Sequence, residues 1–388
     1  MKFNMKFVYV KKFLCKCFSY TLRVIPLKNI VVFNSFNGKG MADDPKYIAL
    51  ELLRKRANYR LVWLLNDTKN HDIPDGIEPV KLGSYKACYF LSVAKVWIDN
   101  CRGMSGWAYK RADQYYIQTW HSTLGIKKLG TDNLKSSISA RKHVKREMSK
   151  VDLMYSNSDY RVEKYRNTFW YDGAIIKCDL PRVSCIMNQP EGIKDKICKW
   201  LSIPTYCKIA MYAPTFRDNN RDEFEVYQYD FDRIRQSLEM KFGDDYVMLI
   251  RLHPHLRNSS VAKKFKFCDK VIDATMLPDM EELLCITDVL FTDFSSSMFD
   301  CSIGGKIVFL IAKDFLHYTK VNRELYFNPK TELPFDFCES EDELIDAIET
   351  FNYSTYSERC NMFYSSIGLE DHGNGDKVLA DIVLSKLQ

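Results

Sequence analysis

The chain has 388 residues, with 56 Lys and Arg against 50 Asp and Glu, for a formal net charge of +6. Residues 1–42 hold eight of the basic residues (Lys2, Lys6, Lys11, Lys12, Lys16, Arg23, Lys28 and Lys39) and no acid, leaving 48 against 50 in the body. A slightly acidic body argues against nucleic-acid binding, which needs cations on the folded surface that meets the phosphates. The length suits two domains, and 46% hydrophobic residues can fill their cores. Thirteen cysteines, odd in number and scattered without a Cys-x-x-Cys pair, read as reduced cytosolic thiols packed as small hydrophobes.

Lysines interrupt the first 28 residues too often for a secretory signal or a spanning helix. On a helical wheel Phe3, Phe7, Val10, Leu14, Cys17 and Phe18 share one face, Lys2, Lys12, Lys16 and Arg23 the other, and Lys11 falls among the apolar group. The pattern predicts an amphipathic helix over 1–28, ended by Pro26, lying in the headgroup plane of an anionic membrane surface on the cytoplasmic side. The alternative is a helix packed on its own protein.

From residue 30, apolar runs alternate with helical patterns. Strands are expected at 30–36, 60–65, 94–98, 115–119 and 153–156, then at 208–213, 246–251, 271–273, 288–292 and 306–311. Helices are expected at 45–55, 85–92, 139–149, 159–167, 232–242, 279–286, 296–303 and 341–349. Two rounds of alternation predict an α/β chain of two doubly wound, Rossmann-like domains facing across a cleft, at 29–180 and 206–388. A Pro-rich linker at 181–205 joins them, and the last helix can pack back on the first domain.

Ligands of such sheets sit beyond the carboxyl ends of the strands. After 115–119 comes His121, a proton acceptor, followed by Ser122, Thr123, Lys127 and Lys128, which suit anionic oxygens on an acceptor. After 246–251 come Arg251, His253, His255 and Arg257, a compact phosphate-binding group. Arg217 follows the strand 208–213. After 288–292, Ser295, Ser296 and Ser297 open a helix and either cap it or seat a phosphate, and Asp300 lies one turn further on, placed to fix a serine or a sugar hydroxyl. Asp230-Phe231-Asp232 reads as a helix cap at Asp232 rather than a metal pair. No P-loop and no dinucleotide fingerprint is present, and no metal and no cofactor is expected.

Four motifs, Ile117 to Gly130 (IQTWHSTLGIKKLG), Tyr212 to Asp218 (YAPTFRD), Arg251 to Pro254 (RLHP) and Asp288 to Asp300 (DVLFTDFSSSMFD), resemble those of the CDP-glycerol glycerophosphotransferase family in order and spacing. Asp43 to Leu50 (DDPKYIAL) and Arg323 to Phe327 (RELYF) are also similar to it. The resemblance implies a glycosyltransferase-B-type fold, an amphipathic membrane attachment, CDP-glycerol or CDP-ribitol as donor, and a lipid-linked or glycan acceptor in teichoic-acid or capsule synthesis. It implies His121 as catalytic base, His253 on the donor phosphates, and Ser295, Ser296 and Asp300 in the donor motif. Ser122 stands where many members have Gly. Alternatives are a nucleotide-sugar transferase of the same architecture and a non-catalytic peripheral membrane protein.

Overall fold

The computed structural model describes residues 5–56, 58–69, 72–129, 132, 137–217, 224–257, 259–322 and 324–388, with backbone alone at 5–7. Lys2, Phe3, Gly130, Asp218 and Arg323 lie outside the described residues.

The first sheet is built from β1 (Lys28–Asn34), β2 (Arg60–Leu65), β3 (Ile77–Lys81), β4 (Ala94–Asp99), β5 (Tyr115–Gln118), β6 (Leu153–Ser156) and β7 (Ala174–Lys177). Its seven strands run in the order β3-β2-β1-β4-β5-β6-β7, all parallel. The second has β8 (Lys208–Tyr212), β9 (Tyr246–Ile250), β10 (Val271–Asp273), β11 (Val289–Thr292), β12 (Ile307–Ile311) and β13 (Asp336–Cys338). Its six strands are parallel in the order β10-β9-β8-β11-β12-β13.

The apolar run of β1 explains its central place, because a parallel strand covered on both faces buries every side chain. Val31 and Phe33 pack with Ile48 and Leu52 on one face, while Ile30 and Val32 pack with Phe90, Leu91 and Trp97 on the other. The three strands that the sequence does not announce, β3, β7 and β13, are all sheet edges. Pro79 in β3 and half-exposed side chains in β7 and β13 erase the apolar signal there.

Residues 181–205, expected as the linker between the domains, contain two helices, Pro181–Asn188 and Ile193–Leu201, and six residues of the first are buried. The C-terminal helix Gly375–Leu387 returns to the first sheet, where Leu379, Ala380 and Val383 join the core of β1. All thirteen cysteines are free, and ten of them are buried, which fits their use as core packing.

The N-terminal helix is Met5–Thr21. It docks through the face carrying Cys15 and Ser19: the Ser19 hydroxyl accepts the Tyr109 N–H at 3.1 Å. Lys12 and Lys16 lie on the docked side, 5.3 and 5.2 Å from the ring centres of Trp107 and Tyr109. Cation–π contact with the protein thus replaces the expected lipid contact of these two ammonium groups. Tyr9, Val10, Phe13, Leu14 and Tyr20 point outward, each more than half exposed. Among the described residues no helix is long and apolar enough to cross a membrane.

Candidate active site

His121 sits immediately beyond β5, on a backbone turned sharply by Trp120, whose φ of 58° is left-handed. That geometry in a bulky residue stores about 1–3 kcal/mol of strain, which the surroundings must hold in place. The Trp120 indole lies 4.3 Å from the imidazole ring and Phe36 approaches at 6.0 Å. His121 Nδ1 donates to the Asn100 carbonyl at 3.0 Å. A carbonyl can only accept, so the neutral ring carries its proton on Nδ1 and presents a bare Nε2 lone pair. His121 is exposed as a residue, yet desolvation of its ring by the protein packed around it pulls its pKa below the ordinary 6.5. The imidazole is therefore a base at neutral pH.

Asn100 is held in turn. Its side-chain oxygen accepts the Phe36 N–H at 2.8 Å and its Nδ2 donates to Asp43 at 2.6 Å. Asp43, also left-handed at φ 63°, is one of three carboxylates around Arg182. Arg182 Nη1 lies 2.8 Å from Asp43 and 3.1 Å from Asp44, and its Nε lies 3.2 Å from Asp300. Its Nη2 donates to the Thr123 hydroxyl at 2.8 Å, and that hydroxyl bonds Asp300. The Arg182 side chain is 2% exposed. Burial, against a single guanidinium shared with Asp43, pushes Asp44 up to about 6.

Thr123 and Asp300, expected beside a ligand, are bonded to each other and to Arg182 in this knot, which joins the two sheets. Lys127 and Lys128 also lie on that seam: Lys127 forms a bridge with Leu325 and places its ammonium 5.9 Å from the Tyr318 ring, while Lys128 pairs with Glu324 at 3.0 Å. Ser122, half-buried, borders a narrow pocket with Trp120, Arg161, Lys164, Tyr165 and Tyr326.

On the second sheet, Arg217 is 1% exposed and fully engaged. It grips Asp314 with two nitrogens at 2.7 and 2.8 Å and reaches Asp293 at 2.7 Å, tying the loops after β8, β11 and β12 together. Its charge is met by two carboxylates of the protein. Arg251 likewise turns inward, donating to the Ala274 and Leu277 carbonyls. Arg257, exposed, reaches the Met276 carbonyl at 3.4 Å.

His253 and His255 stay at the surface with rings stacked at 5.0 Å, and Phe216 stacks on both at 5.5 and 5.4 Å. The His255 N–H donates to His253 Nδ1 at 3.2 Å, so neutral His253 carries its proton on Nε2. The two histidines are thus held in opposite tautomers, His121 as acceptor and His253 as donor. Ser296 is the cap residue of the helix Ser297–Ile303, yet its side chain makes no capping bond. The Ser297 hydroxyl donates to Ser295 Oγ at 2.8 Å. Asp293 links this loop to the histidine group, accepting the Thr215 N–H at 2.8 Å just before Phe216. Asp230, not Asp232, caps its helix by accepting the Arg233 N–H at 3.0 Å. A cavity of about 470 Å³ beneath β13 is lined by none of these side chains, so its size does not mark the site.

Sequence reasoning missed Asn100 and Arg182, and it placed Asp43 within a motif without giving it a role. Asp99-Asn100-Cys101 follows β4 just as His121 follows β5, so the same rule about strand ends points to Asn100.

Two parallel α/β sheets joined edge to edge through their loops, each carrying a histidine beyond a strand's carboxyl end, form a fold of the glycosyltransferase-B type. The profile described as CDP-Glycerol:Poly(glycerophosphate) glycerophosphotransferase matches residues 17–384, and the chain belongs to that family. It is 30% identical over 364 residues to a teichoic acid poly(glycerol phosphate) polymerase of Staphylococcus epidermidis, covering 91% of this chain and 50% of the relative. The chain thus spans about half the length of that polymerase. It is 31% identical over 368 residues to a teichoic acid glycerol-phosphate transferase of Staphylococcus aureus, covering 90% of this chain and 92% of the relative. The solved structure of the wall teichoic acid polymerase TagF superposes with a TM-score of 0.84 at 28% identity, covering 99% of this chain and 94% of that one.

Proposed function

We propose that the protein transfers a polyol phosphate, glycerol phosphate in the first instance, from a CDP-activated donor to a hydroxyl of a lipid-linked or glycan acceptor in teichoic-acid synthesis, releasing CMP. The opposed tautomers of His121 and His253 carry this reading. The acceptor hydroxyl donates to the bare Nε2 of His121 and attacks the phosphorus that bears the polyol. His253 Nε2–H, with Arg257 and the Ser295, Ser296 and Ser297 hydroxyls, neutralises the donor diphosphate as CMP departs. Such a displacement needs in-line positioning and charge neutralisation rather than covalent help. TagF, which the chain resembles throughout, has a structure determined after a CDPG soak, and this supports a CDP donor.

A panel of CDP-glycerol, CDP-ribitol and nucleotide sugars, incubated with acceptor and scored by the nucleotide released, tests the proposal. CMP from a CDP-polyol is expected. UDP or GDP from a sugar donor, with no CMP from the polyols, supports the nucleotide-sugar alternative.

The outward face of the N-terminal helix supports peripheral attachment to the cytoplasmic leaflet. Tyr9, Val10, Phe13, Leu14 and Tyr20 form an apolar strip unopposed by protein, with Lys11 exposed beside it. Phe13→Asp with Leu14→Asp should release the protein from phosphatidylglycerol vesicles in a flotation assay and leave turnover of a soluble acceptor intact. Vesicle binding equal to that of the unaltered chain contradicts the attachment.

A further inference from the structure

The loop that follows His121 starts in the first domain and ends in the second. On the first side it is set by β5, by the left-handed Trp120 and by the Asn100 carbonyl that accepts from His121 Nδ1. Further along, Leu124 and Ile126, 0% and 2% exposed, share one apolar cluster with Ile209, Met211 and Leu310 of the second sheet. The backbone then pairs across the seam. The Tyr326 N–H donates to the Ile126 carbonyl at 2.7 Å and the Lys128 N–H to the Glu324 carbonyl at 2.9 Å, a short antiparallel ladder around Lys127 and Leu325. Residues 324–326 of the second domain thus act as a partner strand for the histidine loop.

Tyr326 closes this ladder with its side chain. Its hydroxyl accepts the Leu129 N–H at 3.1 Å and donates to Asp132 at 2.7 Å. Asp132 also accepts the Thr168 hydroxyl, at 3.2 Å, from the helix Asp159–Phe169. Burial raises the phenol pKa to about 12, so Tyr326 remains a donor at neutral pH. Phe169, the residue after Thr168, packs 4.6 Å from the Trp120 ring, which in turn lies against His121. One hydroxyl therefore ties the far end of the histidine loop to the helix that backs Trp120.

We infer that Tyr326 is a positioning residue for the transfer: from the second domain it fixes the loop that carries His121, so that the base keeps its working place only while the two domains are joined. The inference rests on the transfer reading above and adds a residue that acts through the base rather than on a substrate. The strained turn at Trp120 explains why an anchor is needed, because a left-handed bulky residue persists only where its surroundings hold it. A loop freed at its far end lets that turn relax and the imidazole drift, and an in-line displacement tolerates little misplacement of the base.

The test measures CMP release from CDP-glycerol and acceptor by the unaltered chain, Tyr326→Phe, His121→Ala and the double variant. Phenylalanine keeps the ring and its packing and removes both hydroxyl bonds. With His121 in place, Tyr326→Phe should lower kcat at least about tenfold, the scale of a hydrogen bond to a charged group, and shift the KM for CDP-glycerol less than about twofold. In the His121→Ala background the same change should cost less than about twofold, because a residual rate that does not use the base cannot lose its placement. Asp132→Ala, which removes the acceptor of the Tyr326 proton, should repeat this pattern and stands in if Tyr326→Phe perturbs folding. An equal loss in both backgrounds overturns the inference, since it marks support of the fold or of the donor site alone. An unchanged kcat, or a higher donor KM without a fall in kcat, overturns it too. Any of these results with CMP release by the unaltered protein removes the positioning role and leaves the transfer reading standing; absence of CMP release removes that reading itself.

Discussion

Replacing His121 with alanine should lower CMP formation from CDP-glycerol and acceptor by at least about a hundredfold, the usual scale for a general base. The direction of its pKa adds a second signature. A base acts only while unprotonated, and burial lowers the His121 pKa below 6.5, so activity should hold steady as pH falls through 6.5 and decline only below it. In the alanine variant the residual rate should lack that acid limb. His253→Ala should lose on a similar scale by another route, through donor binding and leaving-group charge rather than through the base. Near-normal turnover by either folded variant removes that residue from the chemistry.

The largest effect on stability should come from Arg182. Its guanidinium is 2% exposed and touches carboxylates on both sides of the cleft. Arg182→Met leaves Asp43, Asp44 and Asp300 buried without their cation, and breaking a buried ionic group by removing one partner costs about 3–5 kcal/mol. The pH dependence should carry a sign. Carboxylates stranded in the interior have folded pKa values above their unfolded ones, so their protonated form favours the native state. The variant should therefore recover stability as pH falls towards their unfolded range and lose it as pH rises. Asp44 already shows the tendency, pushed up to about 6 with Arg182 in place. Urea denaturation at neutral and mildly acid pH measures both effects, and a loss under about 1 kcal/mol would show that the knot is not what joins the sheets.

What could be read from the sequence follows from where information is local. Strands covered on both faces are spelled out as apolar runs, so β1, β2, β4, β6, β8, β9, β11 and β12 stand where the pattern puts them to within two residues, whereas the edges β3, β7 and β13 do not. His121 and His253 are legible because a polar side chain after a buried strand has a foreseeable place. Partners are not foreseeable in this way. Thr123 meets Asp300 across 177 positions, and Arg217 meets Asp314 across 97, so cations and hydroxyls that looked available for ligands are consumed by the protein. Arg182 was hidden by its neighbour: Pro181 reads as part of a Pro-rich linker, yet proline in the first turn is also a helix start, and that is the role it takes. For the N-terminal helix, the wheel separated the apolar and basic faces but could not say that Trp107 and Tyr109 would claim Lys12 and Lys16.

The central claim is that the bond broken lies between the two phosphates of a CDP-polyol, with the acceptor hydroxyl attacking the phosphorus on the polyol side. Following the phosphorus in the same donor incubation tests it most directly. CDP-glycerol labelled in the phosphate next to glycerol should deliver its label to the acceptor and release unlabelled CMP, in equal amounts. Label retained in CDP, with glycerol alone transferred, or no transfer from any CDP-polyol, would contradict the account.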